Sequence, residues 1–193
     1  VFGKRTVMLP SISAFVLAGG FSHRFGTDKA LYQYKGQTLI GYPLELLSEK
    51  FPTVSIVAKE AEKYTRFGIP VCDDIIDQQS PLVGILPSMA HSDTDWNYFQ
   101  ACDLPFMQPG ILNILASQLE DLNGEMQALL PLTDRGIQPL AGFYRKNTID
   151  SLREAISEEL SVWELSDVRT VNFGNAVSYC NVNTVEDLNA IST

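Results

Sequence analysis

The chain has 193 residues, of which 45% are hydrophobic and 19% are charged, which predicts one globular domain with a substantial core rather than a disordered protein. No apolar run approaches the roughly 20 residues that a membrane-spanning helix needs, so we expect no membrane segment. The formal net charge of −9 argues against binding to nucleic acid, whose backbone is recognised mainly by lysine and arginine.

The start of the chain and the cysteines bear on the cellular compartment. We expect residues 1–10 to form a tail, and no signal peptide, because Pro10 interrupts their apolar stretch and no small-residue cleavage site follows. Cys72, Cys102 and Cys180 are widely separated and belong to no CxxC pair or Cys/His cluster. They are therefore predicted to be buried free thiols, which favours the reducing cytoplasm.

Strands and helices are predicted to alternate along most of the chain. The predicted strands cover residues 12–17, 54–58, 71–72, 97–102, 126–130, 139–144 and 168–173. The predicted helices cover residues 39–50, 60–67, 81–91, 109–122, 147–160, 162–165 and 185–191. This alternation indicates parallel βαβ units, and since no repeat or linker interrupts it, residues 11–193 are predicted to form one α/β domain.

A glycine-rich loop with two cations follows the first strand. It runs Leu17-Ala-Gly-Gly-Phe-Ser-His-Arg-Phe-Gly-Thr-Asp-Lys29 and matches neither the P-loop nor the dinucleotide fingerprint. Glycines expose backbone N–H groups and let the chain approach a charged ligand closely, while Arg24 and Lys29 add positive charge. In an acidic protein such local gathering of cations is informative. The loop is therefore predicted to bind an anion, most simply the phosphates of a nucleotide.

Acidic residues follow two later strands. In parallel sheets ligands bind beyond the carboxyl ends of the strands, and Asp73, Asp74 and Asp103 all fall there with the glycine-rich loop. Asp103 is a fitting ligand for Mg²⁺, which prefers one or two carboxylates together with phosphate oxygens. The structural alternative for Asp103 is a cap for the helix that begins near Pro109.

Five blocks of the sequence, in order, resemble one family of nucleotidyltransferases, the enzymes that activate small phosphorylated molecules. Within that superfamily the resemblance is to molybdenum cofactor guanylyltransferase. The blocks are the loop of residues 17–29, Ser80-Pro-Leu-Val-Gly84, Ala101-Cys-Asp-Leu-Pro105, Gln138-Pro-Leu-Ala-Gly-Phe-Tyr144 and Asn181-Val-Asn-Thr-Val-Glu-Asp-Leu188.

The resemblance implies a fold and an activity. The fold would be a single three-layer Rossmann-like nucleotidyltransferase domain with a mostly parallel central sheet. The activity would be transfer of GMP from Mg-GTP to molybdopterin, giving molybdopterin guanine dinucleotide and pyrophosphate. Mg²⁺ would be the cofactor and the cytoplasm the location. Molybdoenzymes or other proteins of cofactor biosynthesis would be protein partners.

The resemblance also implies roles for individual residues. Charge on the triphosphate has to be neutralised during nucleotidyl transfer, a task that suits lysine and arginine. The catalytic candidates are Lys29, Arg24 and Asp103, with Asp103 as the metal ligand. The nucleotide-binding candidates are Leu17, Ala18, Gly19, Gly20, Lys29, Asp74 and Asp103. The candidates on the molybdopterin side are Gln138, Pro139, Asn181 and Asn183.

Some choices remain open at this level. Spacing favours Asp74 over Asp73 for the site, and a role in a turn competes for Asn181 and Asn183. Two positions depart from the family pattern: Lys59 follows the second strand where the family usually has asparagine near the base, and acidic residues at 158–159 replace a common arginine.

Three rival functions also remain. Molybdopterin cytidylyltransferase keeps the fold and changes the base, although Gly19 favours guanine, because cytidylyl relatives tend to have alanine there. Other nucleotidyltransferases for sugar or alditol phosphates come next. The third is a nucleotide-binding protein that has lost catalysis and delivers cofactor to a molybdoenzyme.

Overall fold

The computed structural model describes residues 9, 11–18, 28–73, 84–158, 165 and 167–191. The strands in this part of the chain are β1 (Ile12–Leu17), β2 (Gln33–Tyr34), β3 (Gln37–Thr38), β4 (Thr53–Ala58), β5 (Val71–Asp73), β6 (Trp96–Ala101), β7 (Ala128–Thr133), β8 (Gly136–Ile137), β9 (Ala141–Arg145) and β10 (Val168–Gly174). The α-helices are α1 (Gly41–Ser48), α2 (Ile85–Ala90), α3 (Pro109–Ser117), α4 (Ile149–Ser157) and α5 (Val185–Ile191).

The central sheet has the strand order β10-β7-β9-β6-β1-β4-β5, with β8 paired to β7. Strand β1 lies in the middle and pairs in parallel with both β4 and β6, so that Val16 lies opposite Ile56 on one side and Gln100 on the other. Strand β9 is antiparallel to both of its neighbours, β6 and β7. The prediction of a mostly parallel central sheet is confirmed. Because β9 runs the other way, its first residues lie at the edge where β6 ends.

Helices cover both faces of the sheet and make three layers. Alternate residues of a strand face opposite sides, and β1 shows this directly: Val16 belongs to one apolar cluster and Phe15 to the other. The cluster that contains Val16 takes up buried residues of α1 and α3. The cluster that contains Phe15 takes up buried residues of α2 and α4. The predicted three-layer arrangement is therefore confirmed.

Several local predictions need correction. The predicted helix at 60–67 is a 3-10 helix, Ala61–Phe67. The sequence offers Asn147 or Thr148 as the cap of the helix at 147–160. Thr148 occupies the N-cap position of α4, but its side chain donates a hydrogen bond to the Gln127 carbonyl at 2.7 Å and makes no capping bond. Cys102 is buried as predicted, but Cys72 and Cys180 are half-buried; all three are free thiols. The start of the predicted helix at 81–91 and residues 162–164 lie outside the described residues.

The described helices are all short. None of them has the length and apolar character that crossing a membrane requires.

Candidate functional site

The site begins where β1 ends, between β4 and β6. Ala18 donates a backbone hydrogen bond to Val57 at 2.8 Å, and Cys102 donates one to Leu17 at 3.1 Å. Leu17 and Ala18 are both buried. The chain is thus fixed on both sides at the point where the glycine-rich loop departs. Gly19, Gly20, Arg24 and Asp74, four of the predicted site residues, lie outside the described residues.

Lys29 lies at this same edge of the sheet. It opens the 3-10 helix Lys29–Leu31, whose N-cap is Asp28. The Lys29 ammonium donates to Oδ1 of Asn183 at 3.0 Å and lies 3.7 Å from Oδ2 of Asp103. Only 14% of the Lys29 side chain is exposed. A cation is therefore held at the carboxyl ends of the strands, in contact with a residue near the other end of the chain.

Asp103 follows β6 and meets Lys29 at the centre of the site. Its Oδ2 also accepts a hydrogen bond from the side-chain nitrogen of Asn181 at 3.4 Å, and its carbonyl accepts one from Val182 at 2.8 Å. The cap of α3 is Gln108, which makes no side-chain capping bond. Asp103 therefore does not cap that helix, and its side chain contributes to the site instead.

Burial sets the protonation behaviour of Asp103. Loss of hydration raises the pKa of its carboxyl group above the ordinary value, and the neighbouring Lys29 ammonium opposes that rise. The ionised carboxylate of Asp103 is thus held in an environment that disfavours its charge. Carboxyl groups with a shifted pKa are frequent where a protein binds a cation or a reacting group.

Cys102, the neighbour of Asp103, can be excluded as a nucleophile. It is buried, and desolvation raises the pKa of its thiol to about 12, with the Asp103 carboxylate adding to the effect. Since the thiolate is the reactive form of cysteine, this thiol is inert at neutral pH.

Asn181 and Asn183 project from the same side of an extended segment, because both are exposed while Val182 between them is fully buried. A capping box fixes the segment at the start of α5. Oδ2 of Asp187 accepts hydrogen bonds from the N–H groups of Asn183 at 2.7 Å and Thr184 at 2.8 Å, and Thr184 Oγ1 accepts one from the N–H of Asp187 at 3.2 Å. The asparagines are thus held against Lys29 and Asp103.

Gln138 and Pro139 lie at the same edge of the sheet, next to the end of β6. The carbonyl of Leu140 accepts a hydrogen bond from Ala101 at 2.8 Å, which places this segment beside the end of β6. The Gln138 amide nitrogen donates to Thr133 Oγ1 at 3.1 Å and to the Gly136 carbonyl at 3.2 Å. Its hydrogen bonds therefore run to its own hairpin.

The described residues offer a donor set that suits a hard cation. Asp103 supplies carboxylate oxygens and Asn183 supplies an amide oxygen within the same cluster, which Asn181 joins through its amide nitrogen. Among the described residues no group of three or more His, Cys, Asp or Glu side chains could hold a metal. Mg²⁺ does not need such a group, since it keeps several waters and uses one or two carboxylates with substrate phosphates.

A three-layer α/β fold whose strand ends bring together a half-buried lysine, a carboxylate and amide groups fits the nucleotidyltransferase class of proteins. The family described as the MobA-like NTP transferase domain matches residues 14–169, so the chain belongs to that family and is a nucleotidyltransferase.

Individual relatives agree with this assignment. A protein of Nostoc sp. named "Probable molybdenum cofactor guanylyltransferase" is 32% identical over 187 residues, which cover 94% of this chain and 90% of the relative. The crystal structure of molybdopterin-guanine dinucleotide biosynthesis protein A from Archaeoglobus fulgidus is 27% identical, has a TM-score of 0.77, and covers 93% of this chain and 96% of its own. The predicted resemblance to molybdenum cofactor guanylyltransferase is therefore confirmed.

A more distant structure shares the fold alone. It is that of CMP:2-keto-3-deoxy-manno-octonic acid synthetase complexed with CTP, with 13% identity and a TM-score of 0.77; it covers 94% of this chain and 96% of its own.

Some residues that support the site escaped the sequence analysis. The Thr184–Asp187 capping box could have been found, because a threonine followed three residues later by an acid is a known helix-start signal. Tyr64 contacts Asp28 from the 3-10 helix after β4. That contact could not be predicted from the sequence, since it joins residues 36 positions apart.

Proposed function

We propose that this protein transfers GMP from Mg-GTP to molybdopterin. A phosphate oxygen of molybdopterin attacks the α-phosphorus of GTP, the bond from that phosphorus to the bridging oxygen breaks, and pyrophosphate leaves with the bond's electron pair. The observation that carries the proposal is the meeting of Lys29, Asp103 and Asn183 at the strand ends. The family and the names of the relatives support this choice of substrates.

Each charged group has a task in this reaction. The Lys29 ammonium would bind the triphosphate and stabilise the charge that develops as pyrophosphate leaves. Asp103 would hold Mg²⁺, which when bound polarises the phosphate oxygens and neutralises part of their charge. The Lys29 ammonium lies 3.7 Å from the Asp103 carboxylate. The two groups are therefore close enough to act on the same phosphates.

The remaining predicted residues complete the proposed site. Arg24 and the N–H groups of Gly19 and Gly20 would bind phosphate oxygens, and Asp74 would face the nucleotide. Asn181 and Asn183, with Gln138 and Pro139, would bind the pterin, whose ring donors and acceptors suit amide side chains. We place the reaction in the cytoplasm, with molybdoenzymes or other proteins of cofactor biosynthesis as receivers of the product.

Pyrophosphate release from GTP, Mg²⁺ and molybdopterin tests the proposal. We expect Lys29→Ala and Asp103→Ala to abolish turnover with the fold intact. Arg153→Ala and Asp150→Ala are matched controls, because they remove a cation and an acid from an exposed ion pair on α4, where little effect is expected. No release of pyrophosphate by the wild-type protein would refute the reaction, and full activity of either site variant would refute that residue's role.

A thermal-shift comparison of GTP, CTP, ATP and UTP with Mg²⁺ tests the choice of base. Selective stabilisation by GTP is expected, because a ligand that binds only the folded state raises its stability. Selective stabilisation by CTP would instead indicate a cytidylyltransferase. Saturable GTP binding without pyrophosphate release would indicate a nucleotide-binding delivery protein.

A further inference from the structure

Lys29 lies in a short turn whose capping residue is hydrogen-bonded to a tyrosine from another part of the chain. Asp28 caps the 3-10 helix Lys29–Leu31, and its Oδ1 accepts a hydrogen bond from the N–H of Ala30 at 3.1 Å. Its other oxygen, Oδ2, accepts a hydrogen bond from the hydroxyl of Tyr64 at 3.1 Å. One carboxylate thus joins the backbone immediately after Lys29 to a side chain that follows β4.

Tyr64 is a firm anchor for this contact. Only 2% of its surface is exposed, and it belongs to the core cluster that also holds Val16 and Ile56. Its ring stacks on that of Phe67, with 6.4 Å between centroids and 25° between planes. Burial, with the Asp28 carboxylate second, raises the pKa of the Tyr64 hydroxyl. The hydroxyl therefore stays protonated and remains a hydrogen-bond donor at every pH at which the protein works.

The alternative partner of Asp28 is weaker. The Lys63 ammonium lies 3.9 Å from Oδ2 of Asp28, but it is 2.6 Å from Oε1 of Glu60 and 41% of its side chain is exposed. Exposed ion pairs of this kind contribute little to stability. Tyr64 is consequently the group that fixes the direction of the Asp28 carboxylate.

The turn is also fixed on its far side, so its direction is well defined. Ile40 donates a backbone hydrogen bond to the carbonyl of Ala30 at 2.9 Å, and Leu39 donates one to Tyr32 at 3.0 Å. Ala30 itself is buried. With both faces of the turn held, the position of the Lys29 backbone is determined by Asp28 on one side and by these bonds on the other.

We propose that Tyr64 is a positioning residue for nucleotidyl transfer: through Asp28 it holds the turn that presents Lys29 to the phosphates of the nucleotide. This proposal rests on the proposed function of Lys29. Positioned groups contribute to catalysis because small displacements of a reacting or charge-stabilising group cost rate. Tyr64 would thus act on the rate without touching the substrate.

The test uses Tyr64→Phe, which keeps the ring and its packing and removes only the hydroxyl. We expect kcat to fall about tenfold, the size of one hydrogen bond to a charged group. The KM for GTP should change less than twofold, and exchange of the Ala30 amide hydrogen, measured on the free protein, should become several-fold faster. Tyr42→Phe is the matched control, because it also removes a hydroxyl bonded to another group, the Tyr34 carbonyl, at 2.9 Å. Tyr42→Phe should change neither kcat nor the exchange rate of the Ala30 amide.

A double-mutant cycle separates positioning from general stabilisation. If Tyr64 acts through Asp28, Tyr64→Phe should lower kcat less than twofold further when added to Asp28→Ala. Equal losses in both backgrounds would overturn the proposal, and so would an unchanged Ala30 exchange rate in Tyr64→Phe. A wild-type protein that releases no pyrophosphate would refute the proposed function instead. The exchange measurement needs no substrate, so it would still decide whether Tyr64 holds the turn.

Discussion

Asp103 illustrates how a charged residue of the candidate site can lower the stability of the folded protein. Its side chain is 24% exposed, yet loss of hydration raises its pKa even with Lys29 nearby. The folded state therefore binds the proton of Asp103 more tightly than the unfolded state does. Between the ordinary value of 3.8 and the raised pKa, stability falls as pH rises, and the cost persists at neutral pH.

Asp103→Asn should accordingly be more stable than the wild type at pH 7, and the difference should vanish below about pH 3.8, where both carry an uncharged side chain. The same variant should lose activity on the order of 10²–10³-fold, since the carboxylate that we propose to hold Mg²⁺ is removed together with its charge. Denaturant unfolding from pH 3.5 to 7.5, with pyrophosphate release at pH 7, measures both effects. The exposed Asp150→Asn is the control. Lower stability of Asp103→Asn at pH 7 would show that the Lys29 pair outweighs burial.

The sequence was enough to predict which residues lie at the strand ends, but not which of them contact one another. The assignment of Asp103 to a strand end followed from the strand before it and the parallel order of the elements. The hydrogen bond from Lys29 to Asn183 did not, because it joins residues 154 positions apart and depends on how α5 docks. The two asparagines were expected on the acceptor side, whereas the structure shows them bound to the two residues predicted for the nucleotide.

At the scale of elements, the capping box of α5 connects helix stability to the site. The backbone N–H of Asn183, followed by that of Thr184, lowers the pKa of Asp187. The folded state thus favours the carboxylate, so this contribution to stability is present above pH 3.8 and is lost as pH falls through the lowered pKa. Since the same bonds hold the Asn183 backbone, the cap also affects Lys29.

Asp187→Ala should destabilise the protein by about 1 kcal/mol at pH 7, a usual value for a lost cap, and should lower kcat/KM several-fold. The stability difference should shrink as pH falls below 3.8. Urea unfolding at pH 7 and near pH 3 gives the comparison. Glu186→Ala removes a neighbouring acid in the same first turn and should have a smaller effect. Equal losses in the two variants would indicate general helix electrostatics rather than the cap.

Element types were easier to predict than strand directions. Strand β1 was located to the residue, because an apolar run buried on both faces ends at a glycine-rich loop. The antiparallel direction of β9 was not predicted, since a period-two pattern reads the same in both directions. Insertion of β9 between β6 and β7 also brings backbones close at Gly142, where a Cβ atom would lie 2.4 Å from Cδ2 of Leu130 and 3.0 Å from the Leu129 carbonyl.

Gly142→Ala should therefore cost about 1–3 kcal/mol, because the sheet and the packed Leu130 would have to move. Gly110→Ala is the opposite case. Gly110 lies in the first turn of α3 with no atom within 4 Å of its Cβ position, so alanine should stabilise the helix by roughly 0.5–1 kcal/mol. Thermal or denaturant unfolding of both variants gives the contrast. Stabilisation by Gly142→Ala would contradict the close approach of β9 and β7.

At the scale of the whole molecule, the site joins distant parts of one chain around the central sheet. Lys29 comes from the first sixth of the chain, Asp103 from the middle and Asn183 from the last helix start, and they meet within one hydrogen-bonded cluster. A ligand that binds this cluster must therefore stabilise the arrangement of segments far apart in sequence. This gives a test of whether the asparagine segment belongs with the nucleotide.

Hydrogen exchange with Mg-GTP and without molybdopterin provides that test. At a nucleotide concentration of about a hundred times Kd, binding stabilises the folded state by roughly 2.7 kcal/mol. If Asn183 belongs with the nucleotide-bound Lys29, the amides of Ala30, Asn183 and Thr184 should be protected together. The helix α4 packs on the other face of the sheet, so the local exchange of its amides around Arg153 should stay as before. Protection of Ala30 without Asn183 and Thr184 would assign the asparagine segment to molybdopterin alone. Joint protection would mean that nucleotide binding prepares the surface that receives the acceptor, because the same hydrogen bonds hold both.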